Sequence, residues 1–575
     1  MDKQETTVPD RKRNLALLAV FAASAAIKSA ICILATDPII FNKYPYFAQK
    51  LSSGADIGER ILDLSPLYLF LVTIFFEIFG PNWDILTALQ IILGSFNCVI
   101  VGLVGTRLFN PAVGILSALI LMLYGNMTLI ECAIEPEGLF VFLNSLTVLA
   151  LLWAAGDKTS PPHPAKWLPG GILIGLAAVA KANALLIIPG AAVWIWLSTK
   201  ERRIRSLTLL LLGAALVIAP VTIRNFCLFD DFVLLTADGG KVFFHGNGPG
   251  ATGMERADMP DQGLIEEGQT EPDYAHALFR QKAREATKTS LKPSECSSYW
   301  FSQTQRHLLA APKAALSGFL KKFLLFWNNY EVHDLDTTYK SYKIIGKWPF
   351  LTAGIIAAAG ILGMIFSAGM LRRFFLLYWM VAIYIVSVVV FFAASRYRLP
   401  AFNFLAIFAA GFLYELYVAI SGKKLEKTIV AFLLILVFLA FTHLPLRDEI
   451  RKYDLWQHIS RIDYSLGGRM LFKKGNFPEA AREFEKVVSA APDFVPAVNY
   501  LGKTCAILGN YDCASDCFRK VIRLAPASDE GYLNAGLLLE LRGNKREARR
   551  YFEKAQALNP RNVKTRDHLN TISRE

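Results

Sequence analysis

The chain has 575 residues, 54% of them hydrophobic and only 19% charged, with a formal net charge of +13 and a mean hydropathy of +0.36. Soluble domains carry about 25% charged residues, so a disordered chain, a secreted disulfide scaffold and an ordinary soluble enzyme are excluded in favour of a polytopic membrane protein. The positive excess sits in short clusters between apolar runs (Arg11-Lys12-Arg13, Lys200 to Arg205, Arg372-Arg373, Lys423 to Lys427), which is how topology-setting charge is arranged, so no nucleic-acid partner is expected.

Measured against about 20 apolar residues per crossing, the sequence predicts eleven spans, near 14–35, 85–106, 111–126, 138–155, 168–180, 184–198, 206–222, 349–369, 374–394, 401–421 and 427–446. Lys28, inside the first span, reads as a snorkelling residue. The stretch Ser65 to Gly80 is short for a crossing and carries Glu77. Reading it as an interfacial or re-entrant helix leaves every basic cluster on the cytoplasmic side. The N-terminus is then cytoplasmic. The first loop (36–84), the acidic turn (127–137), a large loop (223–348) and everything after about 447 face outward.

Within the large loop, Phe232–Thr236 and Lys241–His245 read as strands joined by an Asp-Gly hairpin turn, so mixed α/β structure is expected there. A glycine-rich stretch around Asn247 follows, then helical segments near 272–289 and 295–310. From Lys313 to Asn328, Leu316, Phe319, Leu320, Phe323, Leu324 and Trp327 share one side, as in a helix lying along a membrane surface.

After a linker at 447–460, residues 461–575 repeat with a 34-residue period. Gly468, Gly502 and Gly536 are in register, as are Ala480, Ala514 and Ala548, Phe484, Phe518 and Phe552, and Pro492, Pro526 and Pro560. Small residues let paired helices approach, Phe fills the space between them and Pro ends each second helix. This pattern resembles three tetratricopeptide repeats, an α-solenoid whose concave face takes a peptide or protein partner. Cys505 with Cys513 or Cys517 could form a bridge in an oxidising space, and buried free thiols are the alternative. The eight cysteines show no metal-ligand spacing, so no metal site is read and a divalent metal has no support.

The outward loops gather charges that are costly at membrane depth and therefore mark a candidate site. The acids are Asp37 after the first span, then Glu131 and Glu135, which at i,i+4 share a helical face, and Glu137, which points elsewhere. The cations are Lys181, Arg224, Arg396 and Arg398. Such a set at headgroup depth suits an anionic lipid, with Arg well matched to phosphate. His245, Asn247 and His333 are polar loop residues, and a lone loop histidine is usually only solvated.

Asp37 with Tyr46, Ala48 and Leu51, LSPLYLFLVTIFFEIFG, Glu137 in PEGLFVFL, GLAAVAKANALLIIP, APVTIRN, FFHGNGPGATG, LLFWNNYEV and SRYRLPAF occur in that order. In these motifs residues 14–445 resemble the GT-C membrane glycosyltransferases, specifically bacterial relatives of protein O-mannosyltransferases and aminoarabinose transferases. The resemblance implies a polyprenyl-phosphate-linked sugar donor and a protein, glycan or lipid acceptor, with transfer on the outer face of the bacterial cytoplasmic membrane. It further implies a single inverting displacement with Asp37 as general base, Glu137 as the second catalytic acid, and Lys181, Arg224, Arg396 and Arg398 on the donor phosphate. Tyr46, Asn225, His245, Asn247 and Glu331, which lie in or beside these motifs, are candidates for substrate binding. One departure is that Asp37 is followed by Pro38, where the mannosyltransferase motif has two adjacent acids. The competing readings are a polysaccharide ligase or polymerase and a non-catalytic, membrane-anchored assembly factor.

Overall fold

The computed structural model describes residues 10–34, 43–156, 163–199, 201–254, 271–332, 349–445, 467–526, 528–559 and 562–574. It separates into two compact units, one of residues 1–258 and 278–445, the other of residues 259–277 and 446–575. Asp37 and His333 lie outside the described residues.

The first unit is built from α1 (Asp10–Leu34), α2 (Lys43–Ser52), α3 (Pro66–Phe79), α4 (Trp83–Leu108), α5 (Pro111–Met122), α6 (Gly125–Cys132), α7 (Pro136–Ala154), α8 (Trp167–Ala180), α9 (Ile187–Ser198), α10 (Arg203–Phe229), α11 (Gly239–Asn247), the part of α12 (Glu271–Thr287) from residue 278 onward, α13 (Pro293–Ala310), α14 (Pro312–Trp327), α15 (Ala353–Ser367), α16 (Leu371–Val390), α17 (Ser395–Ser421) and α18 (Leu425–Thr442). An apolar helix stands at each of the eleven predicted span positions. By length and composition, seven stretches of the described residues are fit to cross a membrane. α5, α8 and α9 have 12, 14 and 12 residues and so extend about 18–21 Å, short of a hydrocarbon core of about 30 Å. With the turns that lead into them, α8 and α9 belong to apolar helices Pro164–Ala180 and Ala182–Ser198, so helix length alone does not fix the number of crossings.

Apolar side chains gain nothing by leaving lipid, so close backbone approach is what holds such helices together. A Cβ on Gly171 of α8 would fall 1.9 Å from the Leu210 carbonyl oxygen of α10, and one on Gly363 of α15 would fall 1.9 Å from that of Phe408 in α17. Gly114 of α5 meets the Gly102 oxygen of α4 in the same way. α17 is the central helix, buried continuously from Arg398 to Phe412.

The expected hairpin is absent. Residues 232–236 are irregular, 239–247 form α11, and no strand occurs among the described residues. The physical reason is tertiary: Gly240, Phe243, Phe244 and Asn247 recur at helical spacing on a buried face. Phe243 stacks on Phe301 and Phe244 meets Trp300, both on α13. Gly240 packs so tightly that a Cβ would lie 1.7 Å from the Ser297 oxygen.

The second unit contains helices Met470–Lys473, Phe477–Ala490, Val495–Ile507, Tyr511–Leu524, Asp529–Leu541, Lys545–Leu558 and Val563–Arg574. The repeat pattern has the packing it implies. A Cβ on Gly468, Gly502 or Gly536 would meet the ring of Phe484, Phe518 or Phe552 at 2.4, 2.6 and 2.6 Å, and Ala480, Ala514 and Ala548 are fully buried. Gly475, Gly509 and Gly543 take φ of 77°, 79° and 81° at the turns, a region closed to most side chains. Cys505 and Cys513 form a disulfide, and Cys517 is free.

Candidate active site in the membrane unit

Glu137 occupies the first turn of α7, where the helix dipole favours a carboxylate. Its Oε1 accepts from Lys181 Nζ at 2.6 Å and lies 3.3 Å from Arg396 Nη1. Lys181 follows the last turn of α8, to which its backbone N–H still bonds. Arg396 is the second residue of α17. The Tyr397 ring lies 4.5 Å from Lys181 Nζ and 4.9 Å from the Arg396 guanidinium. The ends of three helices therefore bring two cations and one carboxylate together. The group stands beside two helix N-termini, where an anion is favoured.

Arg224, near the end of α10, is half-buried, lies 5.3 Å from the Phe70 ring and donates to Asn225 Oδ1. Its Nη1 is buried with no hydrogen-bond partner among the described residues. Asn225 is fully buried and donates to the Val233 and Leu235 carbonyls at 2.8 and 3.2 Å, fastening α10 to the chain that follows.

Arg398 stands apart from this group. It donates to the carbonyls of Leu325, Phe326, Asn328 and Tyr330 and pairs with Glu331 at 2.8 Å, and it is 3% exposed. It thus caps the C-terminal end of α14. In a helix two residues differ by about 200°, so Arg396 and Arg398 must face opposite ways; reading SRYRLP as a helix would have separated them. Glu331 also accepts from Tyr124 Oη and Asn126 Nδ2, which places it in a buried polar cluster with Arg398.

The remaining candidates are scattered. Tyr46 is half-buried under Lys50 Nζ at 4.6 Å. His245 lies against the Phe279 ring, and Asn247 is bonded to Lys322. Tyr44, the second residue of α2, accepts from the Ser65 N–H. Burial pushes its phenol well up, and the Glu135 carboxylate adds to that. Glu131 and Glu135 do not share a helical face. α6 ends at Cys132 and Glu135 is extended (φ −135°, ψ 155°), as a residue before proline must be. Lys28 does not snorkel: its Nζ pairs with Glu131 at 3.0 Å inside the bundle. Lys28, Lys322 and Tyr397 are the site-supporting residues that reading along the chain missed. No local signal marks the first two, since each looks like an ordinary helix charge until its partner is known.

Residues 63–223, the segment that carries Glu137 and Lys181, match the family described as dolichyl-phosphate-mannose-protein mannosyltransferase. Residues 466–529 and 529–562 match tetratricopeptide repeat families. The chain thus joins a segment similar to the mannosyltransferases to a tetratricopeptide array.

Two solved structures similar to the chain are oligosaccharyltransferases of Archaeoglobus fulgidus. One is tethered to an acceptor peptide containing the NVT sequon (12% identity, TM-score 0.42, covering 77% of this chain and 55% of that one). The other, the archaeal AglB, is in complex with an inhibitory peptide and a dolichol-phosphate (11% identity, TM-score 0.42, 77% and 56%). This chain thus spans little more than half the length of those proteins. No curated protein sequence matches it.

Proposed function

We propose that the transferase moves a sugar from a polyprenyl-phosphate-linked donor to an acceptor hydroxyl on the outer face of a bacterial cytoplasmic membrane. Residues 1–446 act as the catalytic region and the three repeats of 461–575 engage the acceptor or a peptide partner. The observation that carries the reading is the cluster of Glu137, Lys181 and Arg396, partly within the segment that matches the mannosyltransferase family.

In the proposed reaction the acceptor oxygen forms a bond to the anomeric carbon while the bond from that carbon to the phosphate oxygen breaks. The bonding pair leaves with the lipid phosphate, and the acceptor proton passes to Asp37. Charge grows on the departing phosphate, so preorganised cations there lower the barrier. Lys181 and Arg396 supply them, with Arg224 as a further candidate through its unpartnered Nη1. Glu137 holds Lys181 and Arg396 in place. One displacement inverts the anomeric centre.

The test is turnover of polyprenyl-phosphate mannose and related monophosphate donors by the purified protein. Asp37→Asn should abolish transfer while donor binding persists; retained turnover refutes the base assignment. Activity only with a pyrophosphate-linked glycan would favour a ligase instead. Removal of residues 455–575 should impair acceptor use more than donor hydrolysis.

A further inference from the structure

α16 ends at Val390, and its last bond runs from the Phe391 N–H to the Ser387 carbonyl. Carbonyls at such an end lack partners within the helix and, when buried, need donors from elsewhere. Here they come from two side chains distant in sequence. Asn247 Nδ2 donates to the Val390 oxygen at 2.8 Å and the Phe391 oxygen at 3.3 Å. Lys322 Nζ donates to the Phe391 oxygen at 3.0 Å and to Asn247 Oδ1 at 2.6 Å. The backbone is pressed close as well, since a Cβ on Gly246 would fall 1.9 Å from the Phe391 oxygen.

From this clamp the chain runs directly into the site. The Ala393 N–H donates to the Gly253 oxygen at 2.9 Å and the Ser395 N–H to the Val332 oxygen at 2.8 Å. Ser395 opens α17, and Arg396 follows it. Lys322 is 1% exposed and has no ion-pair partner among the described residues. Burial pushes its ammonium down to about 7. An unpaired buried amine is a costly group. An apolar side chain of the same length would fill the space without that cost, but it could not donate to two oxygens.

We propose that Lys322 is a positioning residue of the transferase: with Asn247 it clamps the 390–394 turn and thereby sets where Arg396 stands. The consequence for catalysis rests on the reading of Arg396 as a ligand of the donor phosphate. The clamp itself does not, and the two are tested apart.

The experiment uses full-length protein in detergent carrying Lys322→Met, Asn247→Ala, or both. Amide hydrogen exchange is read over 391–397, with the buried 401–412 segment of α17 as internal control. Each single variant should speed exchange at 391–397 by about 10-fold, the loss of roughly one hydrogen bond to a charged group. The double variant should add little to either single variant, because both remove one device. The KM for a polyprenyl-phosphate sugar should rise while kcat at saturating donor stays near wild type, and Lys322→Gln, which keeps a donor, should move both readouts back. Should Lys322→Met fail to fold, Lys322→Gln and Asn247→Ala carry the exchange measurement. Unchanged exchange at 391–397, or equal acceleration over 401–412, overturns the clamp. Faster exchange at 391–397 together with an Arg396→Ala variant of unaltered donor KM would leave the clamp standing and remove Arg396 from the phosphate.

Discussion

Lys28 Nζ of α1 lies 3.0 Å from Glu131 Oε2 of α6, with both side chains about 1% exposed. Lys28 also donates to Ser24 Oγ at 2.7 Å, and Glu131 lies within 3.4 Å of Asn97 Nδ2. Asn97 in turn meets Asn403 of the central helix, and Asn403 donates to Ser145. The pair ties the end of the first span to the turn that leads to Glu137. Gly94 leaves room for it, since a Cβ there would fall 2.7 Å from the Glu131 carboxyl. Breaking one side of a buried pair leaves an uncompensated charge, so Lys28→Met should destabilise the protein by about 3–5 kcal/mol. Lys28→Met with Glu131→Leu should recover most of that loss. Thermal unfolding of the three variants in detergent checks this; a double variant no better than the single removes the pairing argument.

Arg396 and Arg398 should behave differently despite their proximity in sequence. Arg396→Ala should weaken donor use by roughly 10- to 100-fold, the range of a charge-assisted hydrogen bond, with the fold intact. Arg398→Ala strands the Glu331 carboxylate and the carbonyls that end α14, so it should lower the thermal midpoint and leave the donor KM of the folded fraction unchanged. Steady-state kinetics alongside a melting curve separates the two.

Lys322 gives stability a pH dependence of known sign. Its folded value is about 7, against about 10.4 in an unfolded chain, so between those limits the unfolded state holds the extra proton and stability rises with pH. Relative to Lys322→Met, the wild-type melting point should climb by about 2–4 °C or more between pH 7 and pH 9. A difference that stays flat with pH would mean that the amine is not buried as described.

In the repeats, the Cys505–Cys513 bridge closes a short loop between paired helices across a sequence separation of 8. Loop-closure entropy for that length is worth about 2 kcal/mol. Replacing both cysteines by Ala in the full-length protein should speed amide exchange over Val495–Leu524 without affecting the membrane unit. Unchanged exchange would show that the Phe518–Gly502 contact alone holds the repeat.

Positions of the apolar helices and of the repeats could be read along the chain because both depend on short-range regularities. A run of apolar residues marks a buried helix wherever it packs, and a 34-residue period states its own neighbours. Charged and turn residues gave less. Lys241–His245 reads as a strand because a short apolar run, here Val242 to Phe244, cannot be told from a turn of buried helix; α13 decides in favour of the helix. Arg398 looked like a phosphate ligand until α14 ended against it.

The sequence by itself determined that this chain enters a membrane, that its tail is a tetratricopeptide array, and that acids and cations cluster beside its apolar helices, because composition and periodicity are properties of the chain. Which charge meets which was decided only by tertiary structure: Glu137 with Lys181 and Arg396, Lys28 with Glu131, Lys322 with Asn247. The energy of an ion or a buried donor depends on its partner and its distance from solvent, and segments remote in sequence supply both.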